Sequence, residues 1–209
     1  MYKSIKNDLQ NLFSGKGKVR FGATIQAITN YLAKGSSASE EIKDSKLVKK
    51  QEAEKLEVFI SENDLWKKVD FDKYVSEGAE QKVYLLDSIH VLKLNDAIYY
   101  PRWRDYFRNL LMHNYFFPDT AYDLIGFTKQ DDILFAIVEQ AYVTFTDPTD
   151  LEQVKTFLLH NGFKNTRNND YLNEDLGIIL EDLHDENVLT RNGILYFIDT
   201  VFYLTDKFN

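Results

Sequence analysis

The stretch "EDLHDENVLTRNGILYFIDT", residues 181–200, sets acidic and amide side chains against short apolar runs. Val188-Leu189 and the run from Ile194 to Ile198 read as two core strands, because short apolar segments bounded by turn residues mark buried strands. Arg191-Asn192-Gly193 joins them, and Asn-Gly is the dipeptide a tight hairpin favours, since both central residues need positive φ. Asn187 then stands just before one strand and Asp199 just after the other. The hairpin brings the two side chains to one end, within reach of a single cation. Asp182 lies five residues before Asn187. Oxygen donors of this kind suit magnesium, so the segment poses a question that the rest of the chain must answer.

With 209 residues, 44% hydrophobic and 14% aromatic, the chain can bury a sizeable core and is too apolar to be disordered. It has no cysteine, which excludes disulfides and thiolate metal sites and fits a reducing cytoplasm. The start, "MYKSIKNDLQNLF", lacks the apolar core of a secretory signal, and no stretch reaches the roughly 18 apolar residues of a membrane span. A soluble, cytoplasmic protein with no membrane partner is expected. Charge is uneven: residues 1–36 carry six Lys/Arg and one Asp, or +5, which leaves −13 of the net −8 for the remainder. Six cations over that length read as a solvated helix face, and the acidic remainder argues against nucleic acid as a partner.

Ile5, Leu9, Leu12 and Phe13 predict a first helix that stops at "SGKGK", and "ATIQAITNYLA" predicts a second. "KGSSAS" reads as a linker, and residues 39–65 read as a Glu/Lys-rich helix carrying Ile42, Leu47, Leu56, Phe59 and Ile60. From about residue 69 short strands take over. "KVYLLD" and "HVLKLN" form a hairpin across Asp87-Ser88, and "PRWRDYFRNLLMHNYF" is an amphipathic helix opened by Pro101. "YDLIGFTKQDDILFAIVEQAYV" gives two antiparallel strands. "DPTDLEQVKTFLLHNG" gives a helix with Asp147 or Thr149 as its cap. A strand-rich segment containing the opening stretch follows.

This order resembles the smaller lobe of a protein kinase, and the motif residues fall where that fold needs them. "SEGAEQKV" aligns with the glycine-rich loop G-x-G-x-x-G-x-V, with Gly78 at the second glycine, Ala79 beside it and Val83 at the valine. Ser76 and Gln81 replace the outer glycines. "HVLK" resembles the strand whose lysine binds the α- and β-phosphates, which assigns Lys93. On an alternating strand Lys93 shares a face with Val91, and a lysine turned inward needs an anionic partner. Asp182 and Asn187 have the spacing of the catalytic-loop base and metal ligand, and Asp199, twelve residues on, matches the second magnesium ligand.

The chain is similar to the polyvalent-protein kinase domain of phages and conjugative elements. The likeness runs from about Glu52 to the end through "EAEKLEVFISENDLW", "SEGAEQKVYL", "HVLKLND", "AYDLIGF", "IVEQAYV", "LLHNGF" and "DLHDENVLTRNGILYFIDT". The resemblance implies an α+β, kinase-like fold. A helical N-terminal extension (1–50) precedes a compact domain (51–209) with an antiparallel-sheet lobe, about 69–145, carrying one helix, and a minimal second lobe, about 146–209. It also implies an ATP- and magnesium-dependent phosphotransferase acting on a protein or small-molecule acceptor, with Glu139 and Ala141 meeting the adenine edge through their backbone.

Three departures set a second expectation beside the first. No glutamate occurs in residues 102–114, where Asp105 is the only acid; Leu180-Glu181 stands where the loop histidine would be; and ten residues follow Asp199, too few for a peptide-holding segment. A nucleotide-binding regulatory or scaffold module without turnover is therefore the alternative.

Overall fold

Five α-helices and eleven β-strands make up an α+β protein in the computed structural model, which describes residues 2–34, 45–78 and 80–208. Helices α1 (Tyr2–Phe13), α2 (Ala23–Ala33) and α3 (Ser45–Glu62) come first. Strands β1 (Tyr74–Glu77), β2 (Lys82–Leu85) and β3 (His90–Asn95) precede helix α4 (Trp103–Phe116), and β4 (Asp123–Gln130) and β5 (Ile133–Ala141) follow it. These five strands form one antiparallel sheet in the order β1-β2-β3-β5-β4.

After α5 (Leu151–His160) come β6 (Lys164–Arg167), β7 (Asp170–Asn173) and β8 (Ile178–Glu181), then β9 (Val188–Arg191), β10 (Ile194–Phe197) and β11 (Val201–Leu204). Strands β9 and β10 pair as the expected hairpin, with Asn192 at φ 52° and Gly193 at φ 76° in its turn. A four-stranded sheet, β11-β8-β7-β6, clamps the segment between them. Val201, just beyond Asp199, pairs with Glu181, just before Asp182, so residues 182–199 leave and return at one point.

Helix α4 is the central beam. Trp103, Tyr106, Phe107, Leu110, Leu111 and Met112 bury its apolar surface, and α1, α2, α3 and β11 all pack against it. Its first turn has no side-chain cap of its own. Glu52, on the buried α3 stripe Val48-Glu52-Leu56-Ile60, accepts the Arg104 N–H at 3.1 Å instead. A carboxylate there satisfies an orphan donor and meets the positive end of the helix. Burial raises the pKa of Glu52, and that backbone bond opposes the rise.

Several local expectations change. The third helix is described from Ser45, so Ile42 and the linker beyond Lys34 lie outside the described residues, as does Ala79. Leu47 is 48% exposed and Val48 takes its place in the core, one position round the helix. The cap of α5 is Asp150, which accepts the Glu152 N–H at 2.9 Å. Asp147 and Thr149 instead hold β9, through a bridge to Thr190 and a Thr149 Oγ1 hydrogen bond to Val188 O at 2.7 Å. Pro101 lies two residues before α4 rather than in its first turn. In β4, Gly126 is required by a close approach: a Cβ there would sit 2.4 Å from Leu65 O.

Leu9, Leu12, Phe13, Ile25 and Ile28 are all buried in the same apolar cluster as α4 and the sheets. Lys6 Nζ also donates to Lys207 O, and Phe13 meets Phe208 with ring centroids 6.0 Å apart. Truncating a side chain in this layer should therefore weaken the whole molecule. Ile28→Ala, at a position with no exposed surface, is expected to cost about 2–4 kcal/mol, or roughly 5–15 °C in melting temperature, within a single cooperative transition followed by circular dichroism. A separate early transition with the main one unmoved would show instead that the first helices form an independent unit.

Candidate functional site

Strand β3 alternates by the period of two that its pleat dictates. Leu92 and Leu94 enter the small cluster with Tyr84, Phe135 and Ile137, whereas Val91 and Lys93 face the opposite way, into a cleft of about 480 Å³. Lys93 is only 5% exposed. Its Nζ donates to Ile198 O at 2.8 Å and lies 3.9 Å from Asp199 Oδ2. Burial lowers the ammonium pKa, and the Asp199 charge holds it up.

The loop between β8 and β9 builds the opposite wall. Asp182 takes φ 64°, a left-handed conformation that aspartate tolerates better than most residues. Its N–H is accepted by Asp170 Oδ1 at 3.3 Å, and the next N–H, of buried Leu183, by Asn169 O at 3.2 Å. Asn187 Nδ2 donates to Asp182 O at 2.8 Å and to Asp182 Oδ2 at 3.0 Å. Its backbone oxygen accepts the N–H of Ile198 at 2.9 Å and of Asp199 at 3.3 Å. Asp182, Asn187, Asp199 and Lys93 thus form one connected chain of contacts. His184 accepts the Glu186 N–H on Nδ1, and its Nε2 lies 3.1 Å from Asn187 Nδ2 and 3.4 Å from Asp182 Oδ1.

The β1–β2 loop forms the roof. Gly78 N donates to Gln81 O at 2.9 Å, and a side chain at Gly78 would meet no protein atom within 4 Å. Val83 and Val91 line the cleft below, with Gln140, Ala141, Tyr142 and Val143 at its far end. Glu139 is not among the lining residues; its carboxylate lies 3.7 Å from His90 Nε2.

Three features escaped the sequence reading. Gln81 Nε2 donates to Asp199 Oδ2 and so fastens the roof to the floor. Glu80 beside it is pushed up to about 7 by burial and by the carboxylates of Asp199 and Asp182. Beneath Asp199, His113 of α4 bonds Thr200 Oγ1 at 2.7 Å and Thr120 O at 2.9 Å. A carbonyl accepts only, so Nε2 carries the proton and the Thr200 hydroxyl donates to Nδ1. Burial pushes His113 down to about 3, so it is a neutral strut.

Among the described residues, no three His, Cys, Asp or Glu side chains gather as a complete metal site. The available donors still suit a hard cation that brings other oxygens with it. With its NH₂ turned to Asp182, Asn187 Oδ1 meets no donor among the described residues, and Asp199 is 31% exposed to the cleft. An amide and a carboxylate oxygen fit magnesium completed by phosphate and water.

The family described as a serine/threonine/tyrosine kinase found in polyvalent proteins matches residues 49–206, well over half of the chain. No curated protein and no solved structure matches it.

The carboxyl of Glu80 yields a pH test. Its folded pKa of about 7 lies above the ordinary value of 4.5, so the unfolded chain loses that proton first, and stability falls as pH rises between those values. Glu80→Gln should match wild type near pH 4.5 and melt higher at pH 8, where the ionised carboxylate would face Asp199 and Asp182. Equal melting temperatures for the two proteins at pH 8 would contradict this.

Proposed function

The chain belongs to this family of kinases found in polyvalent proteins, and we propose that it is an ATP- and magnesium-dependent phosphotransferase of mobile-element origin. In this reading the β1–β5 sheet with α4 is the smaller lobe and residues 146–209 are a minimal larger lobe. The observation that carries the reading is the contact of buried Lys93 with Asp199 across a cleft that Asn187 also lines, with Asp182 held beside it by the Asn187 amide. A cysteine-free chain fits work in the cytoplasm, and no helix among the described residues is long and apolar enough to cross a membrane.

Each residue has a role set by its chemistry. Lys93 supplies a fixed cation for the α- and β-phosphates, desolvated and so worth more than a lysine in water. Asn187 and Asp199 would hold magnesium, which supplies charge neutralisation of the phosphates when bound. Asp182, 60% exposed and oriented by Asn187 and Asp170, is placed to accept the proton of an incoming hydroxyl. Gly78 covers the phosphates; Val83 and Val91 flank the base; the backbone of Ala141 meets its edge. The acceptor is a protein or a small hydroxyl compound.

One observation favours a nucleotide-binding module without turnover: no carboxylate of α4 reaches Lys93. Asp105, the one acid in that helix, is raised by burial and held down by Arg108, Arg104 and Arg102. Paired variants separate the two readings. Wild type should gain roughly 2.7 kcal/mol with Mg-ATP at 100 times its Kd. Asp199→Asn should lose the magnesium-dependent part of that gain. Asp182→Asn should bind nearly as wild type while phosphate transfer from labelled ATP falls about 10²–10⁴-fold. Binding with no transfer from wild type, and none lost in Asp182→Asn, would select the module; no binding at all would exclude both.

A further inference from the structure

Lys93 stands without a helix carboxylate, yet it is fixed from three sides. Two are the Ile198 carbonyl and Asp199. The third is Tyr122, in the link between α4 and β4, whose ring centroid lies 5.4 Å from Nζ. The Tyr122 hydroxyl donates to Ile198 O at 2.9 Å, the same oxygen that accepts from Lys93. We propose that Tyr122 is the positioning residue for Lys93, standing in for a helix carboxylate by offering a ring face to the ammonium and sharing with it one carbonyl oxygen.

The surroundings of Tyr122 are built for this. Its residue is 2% exposed. Its backbone is held like one rung of a ladder by a side chain of α4: the N–H donates to Asn114 Oδ1 at 2.7 Å, and Asn114 Nδ2 donates to its carbonyl at 2.8 Å. The ring packs on His113 with centroids 4.5 Å apart, and His113 is neutral, so no second cation competes for the ring face. Helix α4 therefore sets the ammonium through Asn114 and Tyr122 rather than through an ion pair. The chemical consequence is specific. A carboxylate partner would neutralise the lysine permanently, whereas an aromatic face stabilises the cation without cancelling its charge. Among the described residues only Asp199 shares that charge, and under the proposed function, on which this consequence rests, Asp199 would be engaged by the metal. Lys93 is left with a full charge for the phosphates.

The test compares full-length wild type with Tyr122→Phe, Tyr122→Leu and Tyr122→Met, each checked for fold by circular dichroism; methionine provides a second ring-free variant if leucine prevents folding. The first readout is the rate at which an acylating succinimidyl ester modifies Lys93, followed by mass spectrometry against exposed Lys155. The second is affinity for Mg-ATP against adenosine by calorimetry. Phenylalanine, which keeps the ring, should leave both within about threefold of wild type. The ring-free variants should speed acylation of Lys93 by about tenfold, leave Lys155 unchanged and weaken Mg-ATP about tenfold with adenosine unaffected. A folded ring-free variant with wild-type Lys93 acylation overturns the assignment. If wild type fails to bind Mg-ATP while the acylation pattern holds, the phosphotransferase reading falls and the positioning role of Tyr122 stands.

Discussion

An ammonium group taken out of water has to be met by fixed acceptors, and the burial of Lys93 is the constraint around which this protein is arranged. Desolvating such a charge costs several kcal/mol, a large share of the net stability of a domain, unless it is paired and hydrogen-bonded. The acceptors come from the end of β10, more than a hundred residues away in the chain: Ile198 O and Asp199. Keeping them there demands that β10 finish at the cleft, which the Asn192-Gly193 turn ensures by fixing the register with β9. It also demands that the backbone after β10 be anchored. Asn187 O takes the N–H of Ile198 and Asp199 from one side, while β11 pairs with β8 on the other.

The second support is the polar side of α4. Asn109, His113 and Asn114 are buried on a helix otherwise given to packing, and each has a matched partner. Asn109 accepts the Phe202 N–H at 2.8 Å and donates to the Tyr100 hydroxyl at 3.0 Å. His113 bonds Thr200 and Thr120, and Asn114 grips the backbone of Tyr122. Buried polar groups with complete partners specify a single arrangement, because any shift of the helix would orphan them. This is how a layer formed by α1, α2 and α3, far from the cleft, becomes part of the same structure: these helices fix α4, and α4 fixes the strand on either side of Asp199.

What could be read from the sequence follows from how local each signal is. The β9–β10 hairpin was legible because Asn192-Gly193 states its own backbone conformation, and Lys93 because an inward lysine between apolar residues is chemically anomalous. Asp182, Asn187 and Asp199 stood out by spacing; the structure sets Asn187 and Asp199 on the cleft with Lys93 and joins Asp182 to them through the Asn187 amide. The strands of the β11-β8-β7-β6 sheet were not separable, since "KNTR" and "DYLN" are polar or short and take their pairing from each other and from β8 rather than from a pattern of their own. The contacts of Tyr122 and Gln81 were invisible for a different reason. A tyrosine before a strand and a glutamine in a loop have no anomaly until the fold places a lysine and an aspartate against them.

The contact between Gln81 and Asp199 adds a final consequence of the same geometry. Asp199 Oδ2 receives the Gln81 amide and lies near the Lys93 ammonium at once, so the roof of the cleft rests on the oxygen that a cation would need. A neutral amide donor offers that carboxylate less than a divalent ion would, so under the proposed reading a bound magnesium would compete with Gln81 for Asp199. Gly78, in the same roof, has no protein atom within 4 Å of where a side chain would begin. A glycine at position 81 could not make this contact. Gln81 therefore ties the position of the roof to Asp199 through one side-chain hydrogen bond.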